Sequence, residues 1–307
     1  MAVGFTVVFP VFLLLILGNL ARRSGFLDEA FWEQAERGTY YVLFPALLVT
    51  KLAQADFDWQ ASGWLVLAAL ILPFCAALLC FIAQRFLQLA HYDFGAFFQG
   101  GIRINNYIGL ALVATMPDPA LSLLALLMAV VIPLMNVLSV TVLTGYSGAQ
   151  TNFYAVLTGL AKNPLVLACL VGIALNTLQW LPPVLLLEVL ETLGMMALPM
   201  GLLAVGAGLR LKTLHQAGRA FAWNTLLKLI LVPLLAYILG MLLLQDDLSL
   251  AVFVVYAALP TASSAYILTR QMGGNAVLMA GIITGQTLVS MLTLPIVLFL
   301  LMPLIGE

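Results

Sequence analysis

Long apolar runs alternate with short polar segments from one end of the chain to the other. Ten of these runs approach or exceed the roughly 18–20 apolar residues that a helix needs to cross a bilayer. Numbered as spans 1 to 10, they cover residues 4–21, 37–54, 62–84, 94–116, 119–145, 163–180, 184–208, 219–243, 248–269 and 275–303. The pattern therefore predicts an all-α membrane protein with ten transmembrane helices.

Composition supports this prediction and narrows the function. Of the 307 residues, 64% are hydrophobic and 8% are charged, whereas charged residues make up about 25% of an ordinary soluble domain. The net charge of −1 disfavours nucleic acid as a partner. The three cysteines lie in apolar runs without metal-ligand spacing, and no nucleophile–base pair falls at membrane depth. We therefore predict no metal, no cofactor and no enzymatic activity.

Lysine and arginine are divided unevenly between the two sets of loops. Nine lie in or beside the loops after the odd-numbered spans, and only Lys51 lies beside the others. The nine are Arg22, Arg23, Arg37, Arg85, Lys162, Arg210, Lys212, Arg219 and Arg270. Because cytoplasmic loops carry excess positive charge, we predict cytoplasmic odd-numbered loops and termini on the periplasmic or extracellular side.

An internal repeat is visible at an offset of 154 residues. The stretch "PVFLLLILG" (10–18) aligns with "PLVLACLVG" (164–172), and "FPALL" (44–48) aligns with "LPMGL" (198–202). Pro45 and Pro199 are thus predicted kinks at matching positions of spans 2 and 7, although isolated proline kinks are common in membrane helices.

Each half of the repeat holds five spans, which is an odd number. The second half must then enter the membrane from the opposite side, which predicts two inverted repeats, a common architecture of secondary transporters. The predicted units are residues 1–146 and 163–307, joined by a short cytoplasmic linker at 147–162.

Span 4 contains the unusual stretch "QGGIRINNYIGLAL". Arg103 lies about 14 Å along the helix from its cytoplasmic start, near the middle of a core of roughly 30 Å. An arginine at that depth costs at least about 2.5–3.5 kcal/mol unless it faces water or a partner. Gly100 and Gly101 are predicted to loosen the helix, and Asn105 and Asn106 to satisfy freed backbone or hold a ligand.

Span 9 carries a matching interruption in "YAALPTASSAYILTR". Pro260 removes a backbone donor at mid-span, and Thr261, Ser263 and Ser264 follow it. Two interrupted helices at corresponding places predict a binding site near the membrane midplane, and half-helix N-termini there favour an anion. The alternative interpretation is that these residues have a structural role. Arg103 would then donate to backbone carbonyls left free at the break, and the hydroxyls of Thr261, Ser263 and Ser264 would form hydrogen bonds between packed helices.

Acidic residues are expected only in loops or near span ends, which disfavours cation/proton antiport through buried carboxylates. With positive charge alone buried, we predict an anionic substrate. Lys51, at the outer end of span 2, either binds a substrate carboxylate or snorkels to the headgroups. Gln286 and Thr287 in span 10 are candidates for contact with a coupling ion.

Five stretches together resemble the auxin efflux carrier family, in its bacterial branch. They are "YYVLFPALLVTKLA" in span 2, "GGIRINNYIGLAL" in span 4, "KNPLVLACLVGIALN" at span 6, "ALPMGLLAVGAGLRL" in span 7 and "ALPTASSAYILTRQMGG" in span 9. The resemblance implies two inverted five-helix repeats with spans 4 and 9 crossed at their breaks, as in bile-acid symporters and Na⁺/H⁺ antiporters. It also implies a scaffold of spans 1, 2, 6 and 7, a transport domain of spans 3–5 and 8–10, and a homodimer formed through the scaffold.

The resemblance further implies secondary transport of a small organic anion across the bacterial inner membrane by an elevator-type mechanism. Family substrates are auxin-like acids or dicarboxylates such as malonate and malate. From the two interrupted spans themselves, the predicted substrate contacts are Arg103, Asn105, Asn106, Tyr107, Pro260, Thr261, Ser263 and Ser264. The plant family's asparagine-proline pair in span 4 is absent here. The sequence leaves open whether transport is coupled to Na⁺ or H⁺. Two alternative functions also remain: a sodium-coupled symporter of the bile-acid type, and a membrane sensor that binds a ligand without net transport.

Overall fold

The protein is all-helical throughout the residues that the structure, a computed structural model, describes: 2–55, 59–147, 162–216 and 218–305. The predicted linker at 147–162 lies almost wholly outside them. The α-helices are α1 (Ala2–Arg23), α2 (Glu29–Gly38), α3 (Phe44–Ala53), α4 (Trp59–Leu87), α5 (His91–Ile102), α6 (Asn106–Val113), α7 (Ala120–Ser147), α8 (Pro164–Thr177), α9 (Val184–Gly208), α10 (Gly218–Leu226), α11 (Val232–Leu243), α12 (Asp247–Ala258), α13 (Ser264–Gln271) and α14 (Ala276–Ile305). A 3₁₀ turn spans Leu211–Gln216, and π turns span Thr39–Leu43 and Leu227–Leu231.

Five helical segments in the described residues are long and apolar enough to cross a bilayer. They are Ser62–Leu87, Ala120–Tyr146, Val184–Gly208, Gly218–Leu243 and Ala276–Leu304, and they coincide with predicted spans 3, 5, 7, 8 and 10. Two shorter apolar helices, Pro164–Thr177 and Asp247–Ala258, fall in predicted spans 6 and 9. The chain is therefore a multi-pass membrane protein.

The helix of predicted span 2 begins earlier than the hydrophobic pattern indicates. It starts after Asp28, whose side chain caps α2 by accepting a hydrogen bond from the Phe31 N–H at 2.8 Å. It then runs through the π turn into α3 without a gap. The hydrophobic pattern assigns residues 29–36 to a loop and only residues 37 and 38 to the start of span 2. The structure shows that the whole stretch 29–38 is helical.

Prolines shape two of these helices in the same way. Pro45 follows the π turn at Thr39–Leu43, and Pro233 follows the π turn at Leu227–Leu231. Proline lacks an N–H and crowds the carbonyl four residues earlier, and a wider turn accommodates both effects. Pro199 instead lies inside α9, which continues through it.

Helices α1 and α9 pack with their backbones in direct contact. A Cβ atom on Gly18 would overlap the Leu203 backbone, and one on Gly206 would overlap the Leu15 backbone. The Asn19 Nδ2 donates to the Gly206 and Leu209 carbonyls at 3.1 and 3.2 Å. Small residues allow such close approach between membrane helices.

The other helices fall into two packed groups, the first of which contains α1 and α9. Helix α3 packs on α8 and on α9, which joins spans 1, 2, 6 and 7. In the second group α4 and α5 pack on α7, α11 packs on α4 and α12, and α14 packs on α5 and α12. The two groups meet where α14 contacts α1, where α6 contacts α9 and where α7 contacts α3 and α8.

Candidate functional site

Both interrupted helices break within the predicted stretches, and the two breaks touch. Helix α5 ends at Ile102 and α6 begins at Asn106, while α12 ends at Ala258 and α13 begins at Ser264. The Asn105 N–H donates to the Pro260 carbonyl at 2.8 Å. Two unwound segments, 103–105 and 259–263, therefore meet inside the protein.

Gly100 and Gly101 do not interrupt span 4, because α5 continues through both and ends two residues later. A Cβ atom on Gly100 would overlap the Asn224 side chain, and one on Gly101 would overlap the Cys80 sulfur. The prediction that these glycines loosen the helix is corrected: they allow close packing beside the break.

Gln286, a predicted ion ligand, joins the two breaks instead. Its Oε1 accepts from the Thr261 N–H at 2.9 Å, and its Nε2 donates to the Gly100 carbonyl at 3.2 Å and to Asn224 Oδ1 at 2.9 Å. The side chain is fully buried. Thr287 Oγ1 donates to the Ile283 carbonyl of its own helix at 2.7 Å. Both side chains therefore hold protein groups in this structure.

Replacement of Gln286 by leucine is expected to destabilise the protein by about 2–4 kcal/mol, because three buried polar groups lose a partner. Reversible unfolding in detergent measures the change. Thr287→Val is the matched control, since it removes one hydrogen bond within a single helix turn, and it should cost less than about 1 kcal/mol. Equal losses in the two variants would contradict the joining role of Gln286.

Arg103 is buried, with 9% of its surface exposed, and neutral oxygens hold its guanidinium. Nη2 donates to Asn136 Oδ1 at 2.8 Å, Nε to Ser139 Oγ at 3.3 Å and Nη1 to Ser264 Oγ at 3.3 Å. Among the described residues, no carboxylate forms an ion pair with it. The predicted positive charge is thus held at the break without a counter-ion.

Asn136 and Ser139 were not predicted as site residues. They lie three residues apart in α7 and hence on one face of that helix. An amide and a hydroxyl side chain at this spacing, midway along a mostly apolar span, were the available signal. The sequence pattern did not show that this face would turn toward span 4.

Asn105 caps the second half of span 4 and keeps one polar group unused. Its Oδ1 accepts from the Tyr107 and Ile108 N–H groups at 3.2 and 3.3 Å. Its Nδ2 is buried and has no hydrogen-bond partner among the residues that the structure describes. The neighbouring Asn106 Oδ1 accepts from the Tyr256 hydroxyl at 3.1 Å. A buried amide without a partner is uncommon and calls for a ligand or water.

A cavity of about 540 Å³ lies between α2–α3 and the two breaks. Its lining comprises Glu33, Glu36, Arg37, Tyr40, Tyr41, Phe44, Asn105, Asn106, Tyr107, Leu110, Met128, Leu165, Ala262, Ser263, Ser264, Ile267, Leu268 and Gln271. Five predicted site residues belong to this lining, namely Asn105, Asn106, Tyr107, Ser263 and Ser264. The Tyr107 ring packs on Phe44 with centroids 4.7 Å apart.

The other predicted site residues lie outside the lining. Arg103 reaches the cavity through Ser264, and Thr261 and Pro260 contribute to the contacts between the breaks. Lys51 lies near the far end of α3, where its carbonyl accepts from the Ser122 hydroxyl at 3.0 Å. These residues therefore do not form one contact surface.

The cavity wall contains two carboxylates, although the sequence led us to expect only positive charge around the site. The early start of α2 brings Glu33 and Glu36 to the wall. Glu36 and Ser263 both line this cavity. Burial and then the Glu33 charge raise the pKa of Glu36, against a lowering contribution from Ser263.

Lys228 is also buried, fully, in the π turn between α10 and α11. Its Nζ donates to the Ala257 carbonyl at 3.3 Å, in the last turn of α12. The negative end of that half-helix's dipole is a favourable place for an ammonium group.

Two comparisons with known proteins agree with this architecture. The sequence model of a family described as membrane transport protein matches residues 3–298. The chain is also 26% identical over 318 residues to a Rhizobium meliloti (strain 1021) protein named "Putative malonate transporter", with 96% of this chain and 94% of that protein aligned. Since the family match spans nearly the whole chain, this protein belongs to the membrane transport protein family, the auxin efflux carrier family.

Proposed function

We propose that the protein transports a small organic anion, which binds in the cavity at the two breaks. The observation that carries the proposal is the buried guanidinium of Arg103, held by neutral groups, one of which lines the cavity. A bound carboxylate would compensate this charge. Because Ser264 accepts from Arg103, its own hydroxyl hydrogen is free to point at a ligand.

The chemistry of the wall favours a carboxylate as the ligand. The unpartnered Asn105 amide supplies a donor, and Ser263 and Ser264 supply hydroxyls. The relative's name adds malonate as the first compound to test. Tyr40, Phe44 and Tyr107 line one side of the cavity, so aromatic monocarboxylates of the auxin type are the second class to test.

The position of the cavity fits alternating access. In our proposal, spans 1, 2, 6 and 7 form a scaffold that dimerises, and the packed group of spans 3–5 and 8–10 moves against it in an elevator-type step. The cavity lies between α2–α3 of the first group and the breaks of the second. The exposed lining residues Glu33, Arg37 and Gln271 adjoin the loops after spans 1 and 9. With those loops cytoplasmic, this conformation faces inward.

Sodium coupling of the bile-acid type is the second candidate mechanism, with neutral oxygen ligands at the crossing. Gln286, one of its proposed ligands, is occupied by protein groups in this conformation. Malonate binding measured with sodium and then with potassium separates the two mechanisms. Binding that requires sodium would favour the symporter.

Asn105→Asp tests the proposed site. Aspartate keeps an oxygen that can cap α6, but it replaces the unpartnered donor with a negative charge, so malonate binding and uptake into proteoliposomes should fall by about 100-fold or more. Gln179→Glu controls for the added negative charge, because Gln179 is exposed just beyond the end of α8 and outside the cavity lining. The control should bind normally. Wild-type binding by the Asn105 variant would refute the site.

A further inference from the structure

A carboxyl group shares the cavity in which we place the anion. Glu36 is half-buried on α2 and lines the same cavity as Ser263. Ser263 is in turn part of the unwound segment of span 9. The inference that follows rests on the proposed function, since it concerns how that same site treats an anion.

Ionised Glu36 opposes anion binding because its charge repels a second carboxylate in the same cavity. This repulsion is strong where water is partly excluded. Protonation of Glu36 removes the charge and with it the repulsion, and the Glu36 O–H becomes a hydrogen-bond donor on the cavity wall.

The other ionisable groups around the cavity do not cancel this effect. On α2 the Arg37 cation is matched by the Glu33 carboxylate. The π turn and α3 contribute Tyr40 and Tyr41, and α6 contributes Tyr107. Helices α7, α8 and α13 contribute only uncharged lining residues. Arg103 lies outside the lining and donates to Ser264 Oγ. Its positive charge favours the binding of an anion and also favours the ionised form of Glu36.

We propose that Glu36 couples anion binding to proton uptake in the inward-facing cavity. Each bound anion is accompanied by one proton, which passes from water to a Glu36 carboxylate oxygen and leaves when the anion leaves. Glu36 thereby acts as a pH-dependent gate on the substrate site. It belongs to the first packed group, with α3 and α9, and not to the segments that carry Asn105 and Ser264.

Calorimetric titration of the purified protein with malonate between about pH 6 and pH 8 tests the coupling. Affinity should rise as pH falls, by up to about tenfold per pH unit above the pKa of Glu36. Buffers of different ionisation enthalpy should report about one proton taken up per anion. Glu36→Gln should bind malonate with weak pH dependence and without proton uptake, and any residual slope measures the ligand's own protonation.

Two further variants sharpen this test. Glu33→Gln should keep the pH dependence but move it to lower pH, because the Glu33 charge favours protonation of Glu36. Glu188→Gln, an exposed residue in the first turns of α9, should behave as wild type. Unchanged proton uptake in Glu36→Gln overturns the inference while leaving the proposed function intact.

If malonate does not bind, malonate is refuted as the substrate, and the role of Glu36 is then tested by infrared difference spectra. The carboxyl band of wild type minus Glu36→Gln reports the protonation of Glu36 without a ligand. A Glu36 that is ionised at the upper end of the pH range supports the gate, because it can then take up a proton together with an anion. A Glu36 that stays protonated throughout the range overturns it.

Discussion

Replacement of Arg103 by methionine is expected to reduce anion uptake by about 100-fold or more while leaving the stability of the protein within about 1 kcal/mol of wild type. The functional loss follows because the guanidinium is the buried positive charge closest to the cavity through Ser264. Stability is little changed because the removed charge had only neutral partners. Its desolvation cost offsets the lost hydrogen bonds.

Uptake of labelled malonate into proteoliposomes and thermal melting in detergent measure the two effects on one preparation. Arg103→Lys keeps the charge but not the three-way contact with Asn136, Ser139 and Ser264, and it should retain an intermediate activity. Arg85→Ala, an exposed cation at the end of α4, controls for a general change in charge. Normal uptake by Arg103→Met would show that this residue has a structural role alone.

Replacement of Gly206 by alanine is expected to destabilise the protein by about 3 kcal/mol or more and to lower its amount in the membrane sharply. The added methyl group would overlap the Leu15 backbone carbonyl, and backbone atoms cannot move aside as a flexible side chain can. Separation of α1 from α9 would also strain the Asn19 hydrogen bonds to Gly206 and Leu209.

The control lies two residues along the same helix. A Cβ atom on Gly208 meets nothing within 4 Å, so Gly208→Ala should leave expression and melting temperature close to wild type. Gly18→Ala, which would overlap the Leu203 backbone from the opposite helix, should reproduce the defect of Gly206→Ala. Equal behaviour of the Gly206 and Gly208 variants would contradict the direct backbone contact between α1 and α9.

The positions of the two breaks were predictable because their causes are local. Pro260 removes an N–H whatever surrounds it, and Arg103 is costly at mid-membrane depth whatever its partners are. Asn105 caps the helix that follows it within three residues. Likewise the family could be inferred from sequence stretches, and the family comparison confirms it.

The composition of the cavity wall was less predictable. The apolar pattern started span 2 at residue 37, because the preceding helical turns are too polar to register as membrane-spanning. The helix nevertheless continues back to Glu29, with Trp32 buried on one side. This extension brings Glu36 to the cavity, and it changes the expected electrostatics from purely positive to mixed.

By itself, then, the sequence determined that the protein is an all-helical membrane protein, and it determined where two of its spans unwind. Both results depend on local properties: the length and hydropathy of each segment, and backbone chemistry within a few residues of each break. Only the tertiary structure decided that Gln286 joins the breaks, that Asn136 and Ser139 hold Arg103, and that Glu36 lines the same cavity as Ser263. The partners in each case are separated by tens of residues or more. Their meeting depends on which helix faces pack together, and an apolar helix surface encodes that choice only weakly.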